Sequence, residues 1–157
     1  MKKIFIISFI VLLIDFISKR LIISSLLVDE SIRVIDKFFS ITYVRNTGVA
    51  FSLFDGHVDL IVIINLIIIL LMFKYLSNNG INNKIEKFSY GFIFGGAVGN
   101  LIDRIIYGYV VDFLDFNLFG YSAPIFNFAD TFIVIGVIMF FVFSREVGDK
   151  DGINSKR

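Results

Sequence analysis

The chain contains no cysteine and a single histidine, His57, among its 157 residues. The first absence removes disulfides, thiol nucleophiles and cysteine-held metals together. The second excludes sites that need several imidazoles, and without a His-Glu-x-x-His string there is no zinc-protease helix either. No metal and no cofactor is expected. Net charge is small as well, at +1, so nothing points to nucleic acid. The length suits one domain, 1–157, and leaves no room for a large soluble domain beside a membrane-embedded one.

What is abundant is apolar surface. Hydrophobic residues make up 57% of the chain and mean hydropathy is +0.84, far above a soluble domain. A helix needs about 20 apolar residues to cross roughly 30 Å of hydrocarbon. Four such spans are read, at approximately 4–26, 58–76, 88–106 and 127–144. The second is the cleanest, because Ile61 to Phe73 is interrupted only by Asn65. Met1-Lys2-Lys3 before an apolar run also fits a secretory signal peptide. Against that, no small-residue cleavage site follows, and Asp15, Lys19 and Arg20 break the run.

Basic residues orient the spans. Lys2, Lys3, Lys74, Lys84, Lys87, Arg145, Lys150, Lys156 and Arg157 fall on one side, against Arg33, Lys37, Arg45 and Arg104 on the other. Nine against four predicts both termini in the cytoplasm. The loops 28–57 and 107–126 then lie outside. Phe38 to Val44 and Tyr109-Val110-Val111 read as strands, with a turn at Arg45-Asn46-Thr47-Gly48, so a small β platform is predicted on the outer face. The tail 148–157 is polar and expected to be disordered on the cytoplasmic side.

The polar residues inside or beside these spans carry the chemistry. An Asp at the centre of a membrane helix costs roughly 2.5–3.5 kcal/mol on insertion scales, so such an acid is a functional candidate by default. Asp112 and Asp130 both flank apolar segments. If they approach each other, they share one proton and can act as an acid–base pair on a water molecule. Asn127 and Asp130, spaced i,i+3, can face one cleft or simply cap a helix, and Pro124 suits a helix beginning there. Asp15 and Lys19 are i,i+4, either a structural ion pair or support for a site. Gly91, Gly95 and Gly99 form a small-residue stripe for close helix packing. Asn100, Asp103 and Arg104 follow it on one face, either satisfying a helix end or donating to a substrate backbone. His57, beside Asp55 and Asp59, reads as a solvated loop residue. Gly120-Tyr121-Ser122-Ala123 lacks the histidine a serine protease would need, and no Gly-x-Gly-Asp string supports a presenilin-like protease.

Taken in order, five strings resemble the lipoprotein signal peptidase (signal peptidase II) family. They are Asp15-x-x-Ser18-Lys19, Asn46-Thr47-Gly48-Val49-Ala50-Phe51, Gly99-Asn100-x-x-Asp103-Arg104, Val110-Val111-Asp112-Phe113 and Phe126-Asn127-x-Ala129-Asp130. Val49 and Thr131 depart from the commoner alanine and serine. The resemblance implies an all-α membrane protein: a four-transmembrane-helix bundle with a small extracytoplasmic β cradle and a short surface helix. It implies an aspartic endopeptidase of the bacterial cytoplasmic membrane that cuts diacylglyceryl-modified prolipoproteins just before the lipidated cysteine. Catalysis would fall to Asp112 and Asp130. Substrate, or the inhibitor globomycin, would be held by Asn46, Gly48, Asn100, Arg104 and Asn127. Asp15, Lys19, Asp103 and Ala129 would support the site. Membrane lipid would surround a protein expected to be a monomer.

Two rival readings use the same acids. A small proton-coupled transporter would spread them through the bilayer, and a structural membrane protein would need them only for stability.

Overall fold

The computed structural model describes residues 1–48, 53–81, 83–118 and 120–154. Its elements run α1 (Lys2–Ser25), β1 (Ser31–Ile35), β2 (Phe39–Asn46), α2 (Val58–Asn78), α3 (Lys84–Tyr107), β3 (Val110–Leu118), β4 (Tyr121–Ser122) and α4 (Phe128–Asn154). The all-α expectation is therefore corrected to a mixed fold. Both predicted strand segments pair, and β1 joins them in an antiparallel sheet of order β1-β2-β3-β4. No short surface helix occurs among the described residues, and Val49, Ala50 and Phe51 of the second motif lie outside them. The last helix does not stop at Gly148. Its backbone continues to Asn154, with 155–157 outside the described residues.

α1 is turned inside out relative to a helix of a water-soluble protein. Ser8, Asp15 and Lys19 are buried, while Phe9 is 64% exposed and Leu21 60% exposed. Such a helix is stable where its surroundings are hydrocarbon and its polar groups meet one another. Among the described residues α2 is the one helix long and apolar enough to cross a membrane by length and composition, and the apolar part of α4, Phe128–Phe143, is shorter. α1 and α3 fall short of that measure because they carry the charged residues that meet inside.

Close approach of the helices depends on glycine. A Cβ on Gly95 would lie 2.6 Å from the Ser8 carbonyl oxygen of α1, and one on Gly96 would collide with the Ala129 carbonyl of α4. Neighbouring residues on α3 thus serve different partners. α3 starts at Asn83, whose side chain accepts from the Ile85 amide (2.8 Å), and ends at Gly108, left-handed at φ 75°.

The sheet is anchored on α1. Tyr43, Val111 and Phe113 pack with Ile22 and Leu26 in one buried cluster. A register shift between Ile41 and Val44 opposes Asp112 to Val44, while Ile41 stays opposite Leu114. Phe126 then bridges back to Leu114, with a 2.7 Å bond from the Leu114 amide and a 3.2 Å bond returned. That bridge delivers the start of α4 to the flank of β3. Pro124 is not the first residue of the helix, as the sequence suggests; it lies in the connection before this bridge.

Candidate active site

Asn127 is the N-cap of α4, and its capping contacts are reciprocal. Its Oδ1 accepts from the Asp130 amide at 2.9 Å, and Asp130 Oδ2 accepts from the Asn127 amide at 3.3 Å. With Oδ1 occupied, the Asn127 side-chain nitrogen is turned toward β3, where it donates to Asp112 Oδ1 at 2.7 Å. One residue therefore touches both candidate carboxylates. Asp112 Oδ2 accepts a second bond, from Asn46 Nδ2 at 2.7 Å, and Asp130 Oδ1 accepts from Asn100 Nδ2 at 2.7 Å.

The orientation of Asn100 is fixed by a cation. Lys19 Nζ donates to Asn100 Oδ1 at 3.0 Å, and Asn127 Nδ2 donates to the same oxygen at 3.1 Å. An ammonium cannot face an amide NH₂, so the Asn100 nitrogen must point at Asp130. Lys19 also pairs with Asp15 Oδ2 at 2.7 Å and Asp103 Oδ2 at 3.0 Å, and it is 3% exposed. A buried ammonium with two carboxylates and an amide oxygen around it has all three donors satisfied. The i,i+4 pair read from the sequence is present as an ion pair, and its lysine also reaches Asn100 of α3.

The remaining supporting residues hold backbone. Asp15 Oδ1 accepts from the Ala129 amide at 3.0 Å, so α1 helps cap α4. Ala129 is fully buried, and its carbonyl lies so close to Gly96 that a Cβ there would collide with it. Asp103 Oδ2 accepts from the Val111 amide at 3.2 Å and ties β3 to α3. Arg104 reaches the outer loop, donating from Nη2 to the Gly48 carbonyl at 2.6 Å, and Gly48 N–H in turn donates to Asn46 Oδ1 at 2.9 Å. Arg104 Nε is buried without a hydrogen-bond partner.

A cavity of about 680 Å³ opens beside these groups. Asp112, Asp130, Asn46, Asn100 and Arg104 lie in its wall, and Ile125, Ile133 and Val134 extend the apolar part. Asn65 of α2 lines it too. A lone amide in the otherwise apolar run Ile61 to Phe73 is the signal in the sequence that marks this position. His57 is exposed in the loop before α2, with Nδ1 3.0 Å from the Asp55 carbonyl, and does not line this cavity.

Burial, and then the neighbouring Asp130 charge, push the Asp112 carboxyl up to about 7; the bonds from Asn46 and Asn127 oppose this without cancelling it. A carboxyl that exchanges its proton near neutrality, beside a second carboxylate on the same cavity, is equipped for general acid–base chemistry.

A family model described as Signal peptidase (SPase) II matches residues 7–145. A lipoprotein signal peptidase of Fusobacterium nucleatum is 47% identical over 134 residues, covering 85% of this chain and 80% of its own. One from Halothermothrix orenii is 39% identical over 150 residues, covering 93% and 99%. The fold matches that of a bacterial membrane enzyme solved by the in meso method at 2.3 Å, with a TM-score of 0.86 and 33% identity over 96% of this chain and 92% of that one. Sequence match over most of the chain and structural match over nearly all of it lead to one conclusion: the chain belongs to the signal peptidase II family, membrane enzymes that remove signal peptides from lipoproteins.

Proposed function

We propose that Asp112 and Asp130 form an aspartic dyad that hydrolyses the peptide bond just before the lipidated cysteine of diacylglyceryl-modified prolipoproteins. The observation that carries this reading is the double contact of Asn127, which bonds Asp112 through its side chain and Asp130 through its backbone and cap. In the first step the ionised member of the dyad takes a proton from water. The water oxygen attacks the scissile carbonyl carbon, and the protonated member donates to the developing oxyanion, giving a tetrahedral diol. In the second step the member that took the proton from water gives it to the amine nitrogen, the C–N bond breaks, and the other member recovers its proton from a diol hydroxyl as the product carboxylic acid forms. No acyl-enzyme forms, because the nucleophile is water throughout.

The cavity fits such a substrate in two ways. Its polar side offers Asn46 and Arg104 to a peptide backbone, and its apolar side offers Ile133 and Val134 to acyl chains. Each buried methylene contributes about 0.8 kcal/mol, enough for two chains to hold the substrate at the dyad. In this reading all four helices cross the cytoplasmic membrane as a bundle, both termini are cytoplasmic, and the site lies near the outer face. The enzyme acts as a monomer, and globomycin competes for the cavity through Asn46, Gly48, Asn100, Arg104 and Asn127.

The test is Asp112→Asn and Asp130→Asn, made separately and assayed by gel shift on a lipidated precursor. Each variant should reach the membrane at wild-type level and leave the precursor uncut, a loss of at least about a thousandfold. Full cleavage by either variant rejects the dyad. Loss of the protein from the membrane instead of loss of cleavage favours a structural role for these acids.

A further inference from the structure

The cleavage chemistry makes no use of Asn65, the lone amide in the apolar run of α2. Val62 and Ile69, three residues before it and four after, share its face of the helix. Both belong to a cluster with Ala97 and Leu101 of α3 and Ile133 of α4. Asn65 therefore turns toward the same neighbours, and it lines the dyad's cavity with Ala97 and Ile133. Ile133 is three residues beyond Asp130 on α4, so this level is about 4.5 Å deeper along the bundle than the dyad. The other polar side chains of the wall are engaged. Asn46 and Asn100 donate to Asp112 and Asp130, Arg104 to the Gly48 carbonyl, and the Thr131 hydroxyl to the Asn127 carbonyl. The half-buried Asn65 side chain has no hydrogen-bond partner among the described residues. An amide without a partner is costly in an apolar setting, and a leucine would serve packing alone better. α2 leans on α3 and hardly meets α4 among the described residues, and Val134, on the α4 side of the gap, is 57% exposed. The cavity thus opens to its surroundings between α2 and α4, past Asn65 and Val134.

We propose that Asn65 determines specificity for the lipid part of the substrate, its Nδ2 donating to an ester carbonyl of the diacylglyceryl group where the acyl chains leave the cavity between α2 and α4. The inference rests on the cleavage reading above and extends it to the lipid. Inward from the scissile bond, a diacylglyceryl cysteine presents a thioether, then two esters, then hydrocarbon. A thioether accepts weakly and hydrocarbon not at all, so the ester carbonyls are the substrate's acceptors at this depth. A signal peptide that enters the membrane as a helix has already spent its carbonyls on its own backbone. An ester carries no N–H or O–H, so the contact needs a donor from the protein, and the Asn65 amide supplies one.

The test compares two synthetic lipopeptide precursors of equal chain length in neutral-detergent micelles, one diacylglyceryl and one dialkylglyceryl ether. The ether keeps the thioether and both chains but has no carbonyl. Asn65→Leu should raise KM for the diacyl precursor about fivefold and leave kcat unchanged, as expected for one neutral hydrogen bond made equally in ground and transition states. On the ether precursor Asn65→Leu should match the wild type. Asn65→Gln, which keeps the amide, should recover most of the KM on the diacyl precursor. Melting of substrate-free Asn65→Leu should be no lower than that of the wild type, since no hydrogen bond within the protein is lost. An equal rise in KM on both precursors, or no rise on either, overturns the proposal. So does a fall in melting temperature, which would make Asn65 structural. An ether precursor that the wild type does not cut also counts against it, because one hydrogen bond cannot account for a complete loss. Failure of the dyad shows separately, as cleavage of the diacyl precursor by Asp112→Asn or Asp130→Asn, whatever Asn65→Leu does to KM.

Discussion

Asp130 has two occupations at one position. It closes the first turn of α4 by accepting from the Asn127 amide, and it faces the cavity with Asp112. The capping reading and the catalytic reading of the sequence therefore do not compete. A cap fixes a carboxylate to the backbone within one turn, which is the positioning a dyad needs. Asp112 has no helix of its own and depends on the borrowed amides of Asn46 and Asn127. Its carboxyl, lifted from the usual 3.8 to about 7, gives a signed prediction. Between those pH values the folded protein keeps a proton that the unfolded chain has released. Stability contributed by this group is therefore fullest at the acidic end, declines as pH rises toward about 7, and is level above it. Melting of wild type and Asp112→Asn in detergent across this range should give a difference that drifts against the wild type up to about pH 7 and then stays constant. A pH-independent difference would mean that Asp112 titrates like any exposed acid. Cleavage should fall over the same upper limb, as the shared proton is lost.

At the scale of elements, α3 decides the arrangement, because α1 packs on one of its faces and α4 on another. Gly95→Leu should force α1 away from α3, since even a Cβ there would stand 2.6 Å from the Ser8 oxygen and 2.8 Å from Val11. Overpacking of this kind costs about 1–3 kcal/mol or more. It should also draw Lys19 off Asn100, so activity should fall further than the melting shift alone explains. Gly80→Ala is the control: nothing lies within 4 Å of a Cβ there, and neither melting nor cleavage should change. This dependence was legible in the sequence, because a four-residue glycine repeat in an apolar helix has one obvious use. The helices, β2 and the start of β3 at Val110 and Val111 were legible for similar reasons of periodicity and branching, while the rest of β3, to Leu118, was not. β1 was not: Ser31–Ile35 is exposed along its whole length, and Arg33 interrupts its apolar residues. Nor could local pattern show the bulge between Ile41 and Val44 or the return of Phe126 to Leu114. Both are pairings between distant segments, and together they set Asp112 beside α4. The pairing of Asp15 with Lys19 was legible; the reach of Lys19 to Asn100 across 81 positions was not.

The whole molecule is organised by an inversion, with ion pairs and amides inside and isoleucine, leucine and phenylalanine outside. Only hydrocarbon surroundings make that distribution favourable, and they also make orientation a question with two answers. The orientation proposed above rests on the charge distribution. Lys74, Lys84 and Lys87 gather around the α2–α3 connection, whereas the β1–β2 hairpin carries Arg33 and Lys37 beside Asp36. The absence of cysteine turns this into a clean measurement, because the natural chain is already a blank background for thiol labelling. Asp36→Cys places a thiol in the turn between β1 and β2, and Asn79→Cys places one just after α2; both positions are exposed. In intact cells an impermeant maleimide should label position 36 and spare position 79, and opening the membrane should make 79 reactive. The reverse pattern would put the dyad on the cytoplasmic side, where a precursor's lipidated cysteine would have to be presented before its export. Equal labelling of both positions in intact cells would mean that the two ends of the helices are not separated by a bilayer.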